Sequence, residues 1–128
     1  MSLRSPLGRV LGSGSAKKGV HHWWAQRLTS VALVPLTIWF VISLLGLPSL
    51  DHTTVIGWMR EDSTALALIV LILAATWHSQ LGASVVVEDY VHVSTVKTMT
   101  LIALTFSHVL LAAAGVFAVL KVALGQVQ

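Results

Sequence analysis

His78 lies inside an apolar stretch, and Asp89 and Tyr90 follow it eleven and twelve residues later. On a single helix that separation is roughly 16–18 Å at 1.5 Å rise per residue. An imidazole within a membrane is costly unless it binds something, and neutral imidazole is a common axial ligand of haem iron. A phenol beside a carboxylate at the water boundary can donate to a carbonyl and handle protons. One end of such a helix could hold a redox centre while the other touches a small membrane-soluble substrate.

The elements that must position these residues are read from hydropathy. The 128-residue chain is 55% hydrophobic and only 10% charged, with a mean hydropathy of +0.83. Soluble domains carry about 25% charged residues, so an ordinary wetted surface is excluded. Three apolar runs, 28–47, 64–87 and 99–120, each have about 20 residues or slightly more, which matches a ~30 Å hydrocarbon core. The expectation is an all-α membrane protein with three transmembrane helices, forming one membrane domain over 20–128. A flexible tail is expected at 1–19, where Pro6, Gly8, Gly12, Gly14 and Gly19 make a poor helix until about Val20. The tail is basic and free of acids, as a transit peptide would be, but it lacks amphipathic periodicity.

The net charge of +3 and pI near 9.8 do not point to nucleic acid, because the positive charges follow topology. Arg4, Arg9, Lys17, Lys18 and Arg27 precede the first span, whereas the loop 48–63 sets Arg60 against Asp51, Glu61 and Asp62. The positive-inside bias then puts the N-terminus inside and the C-terminus outside, with the loop 88–98 and its Lys97 on the inner side. The absence of cysteine removes disulfides and iron–sulfur ligation from this chain.

Local signals refine the layout. Trp23 and Trp24 suit the inner interface and Trp58 the outer one. Pro35 removes a backbone bond within the first helix and predicts a kink. Gly46-Leu47-Pro48 ends that helix, Asp51–Thr54 reads as an outer loop, and Asp62 or Ser63 can cap the second helix. In the third span Ala112, Ala113, Ala114 and Gly115 permit close helix packing.

Each candidate site residue also has a plainer reading. Gly82 shares a face with His78, where a missing side chain lets a flat macrocycle approach; alternatively His78 only bonds a neighbouring helix near Gln80 or Ser84. His78 lies about 13 Å below the inner end of its span, so haem propionates pointing inward would meet Arg27 and His21 or His22. Arg27 also serves as a positive-inside anchor. Asp89 and Tyr90 suit a quinone, whose reduction consumes protons, or simply an interfacial belt. His108 sits at a depth similar to His78; it either joins His78 on one haem or, as the favoured reading, bonds between helices.

Together these residues resemble a known family. Gly19-Val20-His21 followed by Arg27 is similar to the leading segment of the smaller membrane-anchor subunit of succinate dehydrogenase. His78-x3-Gly82 followed by Asp89-Tyr90-Val91 resembles that family's second-helix signature at matching spacing, and the likeness covers about residues 19–120. It implies a succinate:quinone oxidoreductase, respiratory complex II, in which a flavoprotein and an iron–sulfur protein sit on two membrane anchors. By that likeness His78 is an axial ligand of haem b, shared with a larger sister anchor. His21 (or its duplicate His22) and Arg27 meet the propionates, Gly82 packs the haem, and Tyr90 contacts ubiquinone beside Asp89. The chain itself would carry no catalytic residue, its partners being the lipid bilayer and three sister subunits. A bacterial inner membrane is expected ahead of a mitochondrial one. The anchor of a fumarate reductase and a haem-free structural subunit are the alternatives.

Overall fold

The computed structural model describes residues 17–125, so residues 1–16 of the tail expected at 1–19 lie outside the described residues, and its last three residues are helical. Four helices account for almost everything between: α1 (Lys17–Leu45), α2 (His52–Arg60), α3 (Asp62–Tyr90) and α4 (Ser94–Ala123). In hydrocarbon no water satisfies backbone N–H and C=O groups, so apolar runs of this length must close their hydrogen bonds internally as helices. Three of the four, Val20–Leu45, Asp62–Tyr90 and Ser94–Ala123, are long and apolar enough to cross a membrane.

The helices outrun the apolar runs at both ends of α3 and α4. Hydropathy marks the lipid-matched part of a helix, not the polar turns that continue it into the interface. α1 starts at Lys17, three residues before the expected Val20, and stays helical through Pro35.

The loop expected around Asp51–Thr54 is instead the start of α2. Asp51 is its N-cap, and its carboxylate accepts the Thr54 N–H at 2.9 Å. Ser49, Thr53 and Thr54 hydroxyls donate to the same carboxylate, and these bonds hold its pKa well below the usual carboxylate range. Neither Asp62 nor Ser63 caps α3. Glu61 occupies that position in extended conformation (φ −67°, ψ 128°), ending α2 and starting α3 at once. With one residue between the two helices, the chain turns at Glu61 before Asp62 or Ser63 can take the cap.

α3 is the centre of the arrangement. It packs on α1 along one side and on α4 along the other, whereas α1 and α4 make no close backbone approach among the described residues. The helices therefore form a row, and the row leaves most large apolar side chains uncovered, as lipid or partner helices require. Buried contacts concentrate at the α2 end, where Ala65, Leu68 and Val119 pack with Trp39, Phe40 and Trp58. Trp58, expected at an interface, lies against Trp39 with ring centroids 6.2 Å apart and planes at 24°. Gly115 confirms the small-residue reading of α4. A Cβ there would stand 2.9 Å from Ile72 Cγ2, so only glycine allows this approach to α3. α4 closes with Gly125 in left-handed conformation (φ 70°), its N–H bonded to the Val122 carbonyl.

Candidate functional site

His78 projects from α3 into the α1–α3 seam, where two residues about one turn apart on α1 meet it. Thr29 Oγ1 lies 3.0 Å from His78 Nδ1, and Gln26 Nε2 lies 3.4 Å from His78 Nε2. Thr29 is 5% exposed, one of the few buried polar side chains. Gly82, one turn beyond His78, faces the same seam: a Cβ there would meet Gln26 Nε2 at 3.7 Å. His22, Gln26 and Thr29 recur at helical spacing, so one face of α1 presents a polar stripe to α3.

Two atoms of that stripe, His22 Nε2 and Gln26 Oε1, are buried and have no hydrogen-bond partner. A buried polar atom left unsatisfied costs about 1–3 kcal/mol, so the seam is short of polar partners on the side of His22 and Gln26. The two neighbouring histidines are thereby told apart. His22 belongs to the seam with its Nε2 buried, whereas His21 is exposed. Arg27 is exposed and stands over the Trp23 ring at 5.1 Å, on a different face from the stripe.

Asp89 and Tyr90 are the last two residues of α3, as expected, and both are exposed, Tyr90 to 78%. Two polar sites thus share α3, one inside a seam and one at the helix end.

His108 serves the opposite seam. Its Nδ1 donates to the Leu104 carbonyl at 2.8 Å, and its Nε2 lies 3.3 Å from Ser79 Oγ on α3. This is the interhelical bond that was the favoured reading, and it directs His108 away from the α1–α3 seam that holds His78. A groove of about 430 Å³ runs beside it, lined by Thr76, Trp77, Gln80 and Thr105 among others. Gln80 and Ser84 do not bond His78. Gln80 Nε2 donates to Ser84 Oγ at 3.2 Å and to Thr105 Oγ1 at 3.4 Å, because the two helical steps from 78 to 80, about 200° of rotation, turn the side chain toward α4. Among the described residues no three His, Asp or Glu side chains converge on a metal position.

Comparison with known proteins follows this geometry. The sequence model of the succinate dehydrogenase/fumarate reductase transmembrane subunit matches residues 1–120. The succinate dehydrogenase hydrophobic membrane anchor subunit of Rickettsia bellii is 28% identical over 116 residues, covering 91% of this chain and 93% of that one. The subunit of the same name from Paracoccus denitrificans is 28% identical over 123 residues, covering 96% and 95%. That of Rickettsia conorii is 30% identical over 89 residues, covering 69% and 71%. The chain belongs to the succinate dehydrogenase/fumarate reductase transmembrane subunit family.

Proposed function

We propose that this chain, as a membrane anchor of succinate dehydrogenase, binds haem b through His78 together with a larger sister anchor and lines a ubiquinone-reduction site with Tyr90 and Asp89. The observation that carries the reading is the unfinished polar seam: an imidazole whose Nε2 is met only by a 3.4 Å amide contact, beside two buried atoms without partners. The residues present fit such a group. His78 offers one axial nitrogen, Gly82 leaves the adjacent face bare, and His22 can donate to a propionate from its buried Nε2. Arg27 and His21, both exposed at the start of α1, can meet propionate oxygens nearer the surface.

When bound, haem would supply a one-electron carrier held by His78. The chain's own work is then to hold the ring nitrogen in place, exclude water with the apolar flanks of α1 and α3, and present protons at the α3 terminus. Tyr90 donates its hydroxyl hydrogen to a quinone carbonyl, and the Asp89 carboxylate passes protons from solvent. Their exposure suits both tasks, since the site needs access to water and to an iron–sulfur partner.

Flavin and iron–sulfur centres on partner chains would supply the electrons, and this chain would contribute the residues that hold the haem and contact the quinone. Because α1, α3 and α4 form a row with uncovered faces, a second membrane chain with the other axial histidine is the natural neighbour. The cluster of Lys and Arg before the first span supports an N-terminus on the inner side of the membrane and a C-terminus outside, and a bacterial inner membrane is the proposed location.

A haem-free anchor is the competing reading, and one observation favours it: Thr29 and Gln26 already occupy both ring nitrogens. Substitution decides between them. In the intact complex, His78→Ala is expected to abolish or strongly reduce the b-type absorbance while membrane insertion persists. Retained, unaltered haem in that variant overturns the assignment of His78.

A further inference from the structure

Thr29 makes three contacts with one hydroxyl. Its Oγ1 lies 2.8 Å from the Ala25 carbonyl, 3.0 Å from the Gln26 carbonyl and 3.0 Å from His78 Nδ1. A hydroxyl has a single proton and two lone pairs, and a carbonyl can only accept. Back-bonding to the carbonyl four residues earlier is the usual habit of a helical threonine. With the proton on the Ala25 carbonyl, its shortest contact, the oxygen that faces His78 can only accept. His78 must then carry its proton on Nδ1, leaving the lone pair on Nε2. The contact on the far side agrees, because Gln26 presents its amide nitrogen, a donor, to that same Nε2.

We infer that Thr29 is a positioning residue that fixes the Nδ1–H tautomer and the ring orientation of His78, keeping Nε2 poised as a metal-ligating lone pair. The inference rests on the proposed haem ligation by His78. Ligating histidines generally donate their other ring N–H to an acceptor, which sets the tautomer and raises the basicity of the bound nitrogen. Here the acceptor is a buried hydroxyl whose own proton is tied to helix α1. The restraint therefore comes from a different helix from the one carrying the ligand. A change in the α1–α3 packing would alter the ring orientation directly. Gln26 has the complementary part of guarding Nε2 until the ligand arrives, with its Oε1 left unpartnered.

The test uses the whole purified complex, in wild type and in Thr29→Val, Thr29→Ser, Thr29→Ala and His78→Ala. Readouts are the haem-to-flavin ratio under dilution, the haem midpoint potential and the low-spin electron paramagnetic resonance g-values. Thr29→Val is expected to weaken haem retention roughly 10- to 100-fold, with a shifted midpoint and g-anisotropy, and Thr29→Ser to restore all three. Thr29→Ala takes the place of Thr29→Val should the added methyl prevent assembly. If His78→Ala loses its haem while Thr29→Val or Thr29→Ala matches wild type in all three readouts, the positioning role is wrong and the ligand assignment stands. If both hydroxyl-free variants fail to assemble while Thr29→Ser does assemble, the hydroxyl serves the joining of α1 to α3 and not the setting of the ligand, and the inference falls. If His78→Ala keeps unaltered haem, the underlying ligation is what fails.

Discussion

The α2 end and the His78 end of this molecule share α1 and α3 but are filled with opposite chemistry. At the α2 end Ala65, Leu68 and Val119 are packed by Trp39, Phe40, Trp58 and Ile72. At the His78 end the seam holds His22, Gln26, Thr29 and His78, with two buried atoms unpartnered. Lipid tails are as apolar as leucine, so membrane helices gain little from burying hydrocarbon against one another and rely on close fit and stacking. The α2 end follows that rule, through Gly115 against Ile72 and Trp58 against Trp39. A polar seam at membrane depth has no such structural motive and is more often functional. One end holds the helices together, and the other is arranged to receive something.

Substitutions can break that division. At the α2 end they should change stability and leave redox properties alone; at the His78 end the reverse is expected. The largest effect on stability belongs to Trp58→Ala, which removes the ring between Trp39 and Phe40. A loss of about 3 kcal/mol is expected, read as a lower unfolding temperature of the assembled complex, with quinone reduction unchanged below that temperature. Gly115→Val comes next. The added Cβ meets Ile72 at 2.9 Å, and overpacking of this kind costs about 1–3 kcal/mol, visible as reduced yield of intact complex.

Tyr90→Phe probes the other end. It removes one exposed hydroxyl and should leave unfolding unchanged while slowing ubiquinone reduction about tenfold, equivalent to about 1.4 kcal/mol. Reduction of a water-soluble acceptor should be nearly unaffected; equal loss in both assays would instead signal impaired assembly. His108→Ala removes a bond to Ser79 in the α3–α4 seam and should leave the visible spectrum as in wild type, since His108 serves the seam on the other side of α3. The smallest effect is expected from Asp51→Ala, which loses the α2 N-cap. Because the Asp51 pKa is depressed in the fold, its contribution is fully present above the ordinary carboxylate value of about 3.9. That contribution is lost only as pH falls through the depressed value, so thermal unfolding near neutrality should show no Asp51-dependent pH effect.

Much of this was legible from residue spacing. Long apolar runs dictated three spanning helices, and the interval from His78 to Asp89-Tyr90 placed a half-buried imidazole and a helix terminus on one element. Helix α2 was not, because a nine-residue amphipathic helix is invisible to a rule tuned to spans of about 20 residues. Its signal was Asp51 three residues before Thr54, a helix-capping spacing set just ahead of Val55, Ile56, Trp58 and Met59. The partners of His78 were also missed. Thr29 and Gln26 stand 49 and 52 residues away in sequence, and only the packing of α1 on α3 brings them near. The polar stripe His22, Gln26 and Thr29 was present as a pattern, yet its orientation depended on which helix it would face. That same packing separates His22 from His21, which spacing alone could not do.

The most direct test of the account is a dithionite-reduced minus oxidised visible spectrum of this chain, purified gently with the subunits that accompany it. A b-type α-band is the predicted result, and its loss in His78→Ala would tie it to the α1–α3 seam. A flat spectrum from an intact, quinone-active complex would contradict the haem assignment and leave the chain as a haem-free anchor.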